Sequence, residues 1–158
     1  MIRNVITLAG AALLLAACNS NSAPGNDKLA ELEKAPTAAP QMAAGPALAN
    51  AAPGGLYPGI LNDADVSSLG GTSGRCVFRM TKVGFPSFIY GGDQANATIK
   101  LNGKLVMLPA TEANTFSGDG LTVEMAENVG SDAEATMIVR IPGTPNELGF
   151  RGVSSCSS

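Results

Sequence analysis

Histidine and tryptophan are absent from this 158-residue chain, and aromatic residues make up only 4% of it. Without histidine, the Ser-His-Asp and Cys-His nucleophile arrangements and every histidine-based zinc site are excluded, because the imidazole is the commonest general base and metal ligand near neutral pH. The three cysteines include no Cys-x-x-Cys pair, and no serine is followed three residues later by lysine. Charge is sparse at 15%, with a formal net charge of −3. From Asn62 onward ten acids face seven bases, a balance unsuited to nucleic acid. Apolar runs are short. The longest, Val5 to Leu14, falls well below the ~20 residues needed to cross a bilayer.

That run is nonetheless placed to direct export. Arg3 supplies a basic n-region, Val5 to Leu14 an apolar h-region, and Ala16 and Ala17 a small-residue approach to Cys18. The tetrapeptide Leu15-Ala16-Ala17-Cys18 resembles a bacterial lipobox. The resemblance implies cleavage before Cys18, lipid on its sulfur and nitrogen, and a mature chain held on a membrane by more than one acyl chain. Asn19, where an aspartate often retains lipoproteins in the inner membrane, points to the outer membrane of a Gram-negative envelope. Residues 1–17 are therefore expected to be a lipoprotein signal peptide.

Residues 18–61 are rich in Ala, Pro, Gly and Asn, with prolines at 24, 36, 40, 46, 53 and 58. Proline spacing of this kind interrupts helices and ladders, and few large apolar side chains are present to offset ordering entropy. The expectation is a disordered tether lipidated at Cys18, ~35 Å in root-mean-square span.

From Asn62 to Ser158 the pattern becomes period-two alternation broken by Gly, Pro and Asn. Arg75 to Val83, Ser87 to Tyr90, Leu121 to Met125, Ala135 to Ile141 and Glu147 to Val153 all have strand character. The strongest local signal is Ala97 to Leu101, then Asn102-Gly103, then Lys104 to Leu108. Asn-Gly between alternating segments predicts a two-residue type I′ hairpin that pairs Ile99 with Val106 and Ala97 with Leu108 on a core face. Six to eight short strands without helical periodicity predict an all-β fold, a small antiparallel barrel or sandwich.

With Cys18 assigned to lipid, Cys76 and Cys156 remain. In an oxidising compartment they are expected to pair, closing the domain with one disulfide and stabilising it by ~4.5 kcal/mol in the chain-entropy model.

Other candidate chemistry is thin. Asp63 and Asp65 occupy half of a calcium-loop pattern but lack its glycine and distal glutamate, so a solvated turn or helix start is the expected role. Glu124, Glu127, Asp132 and Glu134 are expected to be solvated charges around a hairpin. Gly70-Gly71 and Gly91-Gly92 precede no helix and make no phosphate cradle. Arg75, Arg79, Lys82, Lys100 and Lys104 form the densest basic set, suited to contact with anionic lipid or peptidoglycan. No metal or cofactor is expected.

The early and late cysteines around a small β domain on a lipoprotein resemble, in outline, the membrane-bound lysozyme inhibitors of the MliC type. The resemblance implies a disulfide-closed antiparallel barrel and an inhibitory Ser-Gly-x-x-Tyr loop. Here the matching segment is Ser117-Gly118-Asp119-Gly120-Leu121, with leucine at the tyrosine position and no Trp-x-Lys segment after it. Thr115, Phe116, Ser117, Gly118, Asp119, Gly120 and Leu121 are thus the candidate partner-binding loop. The expected function is a non-catalytic binding or structural role in the cell envelope, with a membrane contact through Cys18 and an envelope protein or peptidoglycan as partner. Inhibition of a cell-wall hydrolase such as lysozyme is the alternative.

Overall fold

The computed structural model describes residues 34–49, 56–92, 95–127, 133–141, 143–144 and 147–157. The signal peptide, Cys18, residues 19–33 and 50–55 of the expected tether and the 128–132 hairpin loop lie outside the described residues. From Pro36 to Ser158 the chain forms one folded unit.

The expected Asn-Gly hairpin forms as the alternation dictates. Strand β4 (Asn96–Leu101) pairs with β5 (Lys104–Glu112), with Ile99 opposite Val106, Ala97 opposite Leu108, Thr98 opposite Met107 and Lys100 opposite Leu105. Asn102 and Gly103 have φ values of 49° and 71°, the left-handed pair that a type I′ turn requires. Asp119 and Gly120, at 48° and 81°, make an equivalent turn between β6 (Thr115–Gly118) and β7 (Leu121–Glu127).

The remaining strands are β2 (Cys76–Arg79), β3 (Phe88–Tyr90), β8 (Ala133–Arg140) and β9 (Glu147–Cys156). Strands β2 to β9 close an eight-stranded antiparallel barrel in the order β5-β4-β3-β2-β9-β8-β7-β6, with β6 returning to β5. Every ladder of the barrel but one joins sequence neighbours. The exception is β2 with β9, the seam where the first barrel strand meets the last.

The expected strand from Arg75 to Val83 is shorter than its composition implies. It stops at Arg79 because the Ser87 amide closes onto the Phe78 carbonyl at 2.8 Å, leaving the intervening residues as a loop. Met80, in the expected strand, lies in that loop and is exposed.

The barrel interior is filled. Phe78, Phe88, Tyr90, Ile99, Leu108, Phe116, Leu121, Val123, Met137 and Val139 are buried in one cluster. Phe116 meets Phe88 and Tyr90 edge-on, with centroids 5.6 and 5.9 Å away, a favoured aromatic geometry. A second apolar cluster, Leu61, Val77, Ile89 and Leu105, lies on the outer face of β2 to β5. It is covered by Val66 and Leu69 of helix α2 (Asp63–Ser68) and its C-cap, and by Ala39.

The expectation that the tether extends to residue 61 is corrected here. Residues 36–49 and 56–61 are part of the fold. Strand β1 (Gln41–Met42) adds in parallel to β5 at Leu105 and Val106, along the stretch of β5 that β6 does not reach. Helix α1 (Ala44–Leu48) then crosses one mouth of the barrel. Asn102 Nδ2 donates to the Ala47 carbonyl at 3.0 Å, and the Gly45 amide donates to Asp119 Oδ2 at 3.2 Å, so two hairpin turns hold α1 in place. Ala44, Ala47, Leu56 and Leu61 are buried. Alanine contributes no side-chain entropy on ordering, and its small size lets backbone lie directly over the strand ends. A composition typical of disorder therefore encodes a closely packed strap.

One backbone position on the seam is sterically fixed. A Cβ built on Gly152 would lie 2.1 Å from the Arg79 carbonyl oxygen and 2.8 Å from the Phe78 ring. The ring covers the space a side chain would take, a pairing in which an aromatic protects a strand glycine. Gly152→Ala is expected to destabilise the protein by about 3 kcal/mol, since backbone rather than a mobile side chain must move. Urea unfolding measures it, and a loss below 1 kcal/mol would show that β9 shifts freely at this point.

Candidate functional site

The structure disperses most of the residues that the sequence nominates. Cys76 and Cys156 are directly opposed across the β2–β9 seam and joined as a disulfide. The nominated loop from Thr115 to Leu121 is a strand, a two-residue turn and the start of the next strand. Phe116 and Leu121 face the core with 4% and 0% exposure. Ser117 Oγ is held by the Leu121 carbonyl at 3.1 Å and by Thr122 Oγ1 at 3.0 Å. Only the Asp119-Gly120 tip is free of the ladder, and Asp119 is engaged by α1. Extending this segment into another protein's cleft would extract Phe116 from the barrel.

The acids fare similarly. Asp65 is not solvated. It occupies the third position of α2, where its carboxylate accepts from the Ala39 amide at 2.7 Å, the Asn62 amide at 3.1 Å and Lys100 Nζ at 2.7 Å. Asn62 Oδ1 accepts from the Asp65 amide at 2.9 Å in return, completing a capping box. Burial pushes the Asp65 pKa upward, but the amide bonds and the Lys100 ammonium outweigh it and leave it below the ordinary carboxylate value. The expected helix start is correct, and the expected solvation fails because one side chain knots strap, helix and barrel together. Glu124 and Glu134 lie four residues apart along the β7–β8 ladder, about 13 Å. Glu124 is ion-paired with Arg140 at 2.7 Å, and Arg140 also bonds Glu147 at 2.8 Å.

The basic set divides by role. Arg75 is buried, donating from Nη2 to the Ile89 carbonyl at 3.5 Å and the Asn96 carbonyl at 3.2 Å. Its Nε has no acceptor among the described residues, and burial lowers its pKa. Lys100 belongs to Asp65, and Arg79 donates to Ser155 Oγ at 3.0 Å. Lys82 stands in solvent within the β2–β3 loop.

That loop is the feature the sequence did not single out. Residues 80–85 are consecutively exposed, and Met80, Val83 and Phe85 are 36%, 83% and 42% accessible. Its shape is set locally. Thr81 Oγ1 donates to the Val83 carbonyl, and Gly84 takes a φ of 130°. Pro86 anchors its far end, its carbonyl accepting from the Leu61 amide at 2.7 Å. Ile60, 56% exposed, precedes Leu61 and so joins the same group. Four of the six large apolar side chains exposed among the described residues thus lie in this loop or next to the residue bonded to its end. No acid occurs between Asp65 and Asp93, a stretch holding Arg75, Arg79 and Lys82. The signal available in the sequence was that acid-free stretch carrying Lys82-Val83-Gly84-Phe85.

No curated protein and no solved structure matches the chain. The model of one family, described as a domain of unknown function (DUF6692), matches residues 14–158. That span takes in the strap as well as the barrel, and the chain belongs to this family.

Proposed function

We propose that this protein is a lipid-anchored component of the cell envelope, held by Cys18, whose barrel serves a non-catalytic binding or structural role. The observation that carries the reading is the Cys76–Cys156 disulfide. Cystines persist in exported proteins and are rare in the reducing cytosol, and its pairing leaves Cys18 as the one thiol, directly after an export signal with a lipobox-like end. Asn19 favours the outer membrane of a Gram-negative cell. The binding role, towards an envelope protein or peptidoglycan, has support in a barrel interior filled with hydrocarbon and in surface acids tied to Arg140. A hydrolase inhibitor working through residues 115–121 has no comparable support, since Phe116 and Leu121 are core residues.

The anchor is tested by metabolic labelling with an alkyne fatty acid and mass spectrometry of the mature N-terminal peptide. The expected result is a label on a chain beginning at Cys18, lost completely in Cys18→Ser. An unlabelled wild-type chain beginning elsewhere would overturn it.

A further inference from the structure

We propose that the β2–β3 loop, with Ile60 beside it, is a second membrane contact that inserts into the anionic lipid surface of the bilayer that carries the Cys18 anchor. The inference rests on the anchored reading above and adds an orientation to it.

Three observations converge on the bilayer as the occupant. First, the side chains suit the interface. Val83 and Phe85 project from an exposed loop, Met80 and Ile60 flank them, and Lys82 sits among them with no acid in the loop. An apolar wedge with an ammonium at its rim buries hydrocarbon among acyl chains and leaves the charge at the phosphate level. The chain as a whole is acidic, with a net charge of −3, so an anionic surface would attract this acid-free end and repel others.

Second, the leash is short. Because Pro36 onward belongs to the folded unit, only eighteen residue steps separate it from Cys18. Covalent geometry limits them to about 60 Å at full extension. A leash running to Asn62 would have allowed more than twice that. Confinement so close to the bilayer gives the loop a high effective concentration there, so weak insertion suffices.

Third, the leash enters the fold on the side of the loop. Asp65 accepts from the Ala39 amide at 2.7 Å and, through its other oxygen, from the Asn62 amide at 3.1 Å. The next residue back, Leu61, bonds Pro86 at the end of the loop. Ala39, where the chain joins the barrel, is therefore one carboxylate and two residues away from the apolar group. An anchor pulling from there brings the loop, not the opposite end with its disulfide, towards the membrane.

The chain has no tryptophan, so one introduced at Val83 reports on the loop alone. The mature-length chain carrying Cys18→Ser, oxidised at Cys76 and Cys156, is titrated with phosphatidylglycerol–phosphatidylethanolamine vesicles and with phosphatidylcholine vesicles. Omitting the lipid separates this test from that of the anchor: failure to label Cys18 would strike the anchor reading, while vesicle binding here reads the loop. The expected result is a blue-shifted Val83→Trp emission and co-sedimentation with the anionic vesicles, both suppressed by salt. Adding Val83→Asp and Phe85→Asp to the tryptophan-free chain should weaken co-sedimentation at least about tenfold, because each side chain's burial is worth that or more, with an unchanged melting temperature. Met107→Trp, an exposed site on β5 outside the loop, should not shift. The inference is overturned by water-like Val83→Trp emission at millimolar lipid, by an equal shift at Met107→Trp, or by concentration-dependent dimerisation that buries the loop without lipid.

Discussion

Reducing the Cys76–Cys156 disulfide, or replacing both cysteines by alanine, is expected to lower unfolding stability by about 4.5 kcal/mol. For a folded unit of this size that corresponds to a drop in melting temperature on the order of 15–20 °C. The reason lies in the topology. Seven of the eight barrel ladders are hairpin contacts between sequence neighbours, each closing a short loop. The eighth, β2 with β9, must bring together residues 80 apart. The bond spans that seam, where loop-closure entropy is greatest. The covalent link removes this entropy from the unfolded chain rather than adding contact to the folded one. Its loss should therefore appear mainly as slower folding, since a seam of high contact order has to be found by search. Paired urea titrations and refolding kinetics of the oxidised protein and the Cys76→Ala/Cys156→Ala variant measure both quantities. A stability difference under 1 kcal/mol would mean that the reduced unfolded chain already holds its ends together.

How far the fold was legible in the sequence depended on whether a signal was local. The β4–β5 hairpin was legible pair by pair, because Asn102-Gly103 sets both turn type and register and the alternation around it fixes the inward face. Leu121, Val123 and Met125 of β7, and Ala135, Met137 and Val139 of β8, were legible for the same reason. The strap was not. Ala44 and Ala47 do their packing where large side chains would not fit, and β1 is two residues long, so its composition is indistinguishable from a linker. Strand β6 was hidden because Thr115-Phe-Ser-Gly118 carries a single large apolar residue, and closure onto β5 is a tertiary event. Helix α2 is too short for periodicity to register. Of the candidate membrane contact, Arg79 and Lys82 stood out as charge. Val83 has the alternation of a strand, and its exposure follows only from the early end of β2 at Arg79.

Asp65→Asn should cost about 3 kcal/mol at neutral pH although it keeps the shape of the side chain. The carboxylate's two oxygens accept on both sides, Oδ1 from Ala39 and Oδ2 from Asn62 and Lys100. An amide offers one oxygen. Its –NH2 would confront a backbone N–H on the other side, leaving a buried donor unmet, and the Lys100 ammonium would lose its counter-charge. The same carboxylate sets an acid limit. Its folded pKa lies below the ordinary value, so the unfolded chain binds the proton more readily. The stabilisation is fully present above the unfolded value, near pH 4, and is lost as pH falls through the lowered folded value. Wild-type stability should consequently fall on acidification below about pH 4, with a shallower fall in Asp65→Asn. Hydrogen exchange should report the Ala39 and Leu105 amides opening together in the variant, because Ala39 is bonded to Asp65 and the Leu105 amide to Pro40 beside it. Equal acid sensitivity in both proteins would shift the pH effect to another carboxylate. Loss of protection at Ala39 alone would show that the strap is held by β1 and α1 without the Asp65 knot.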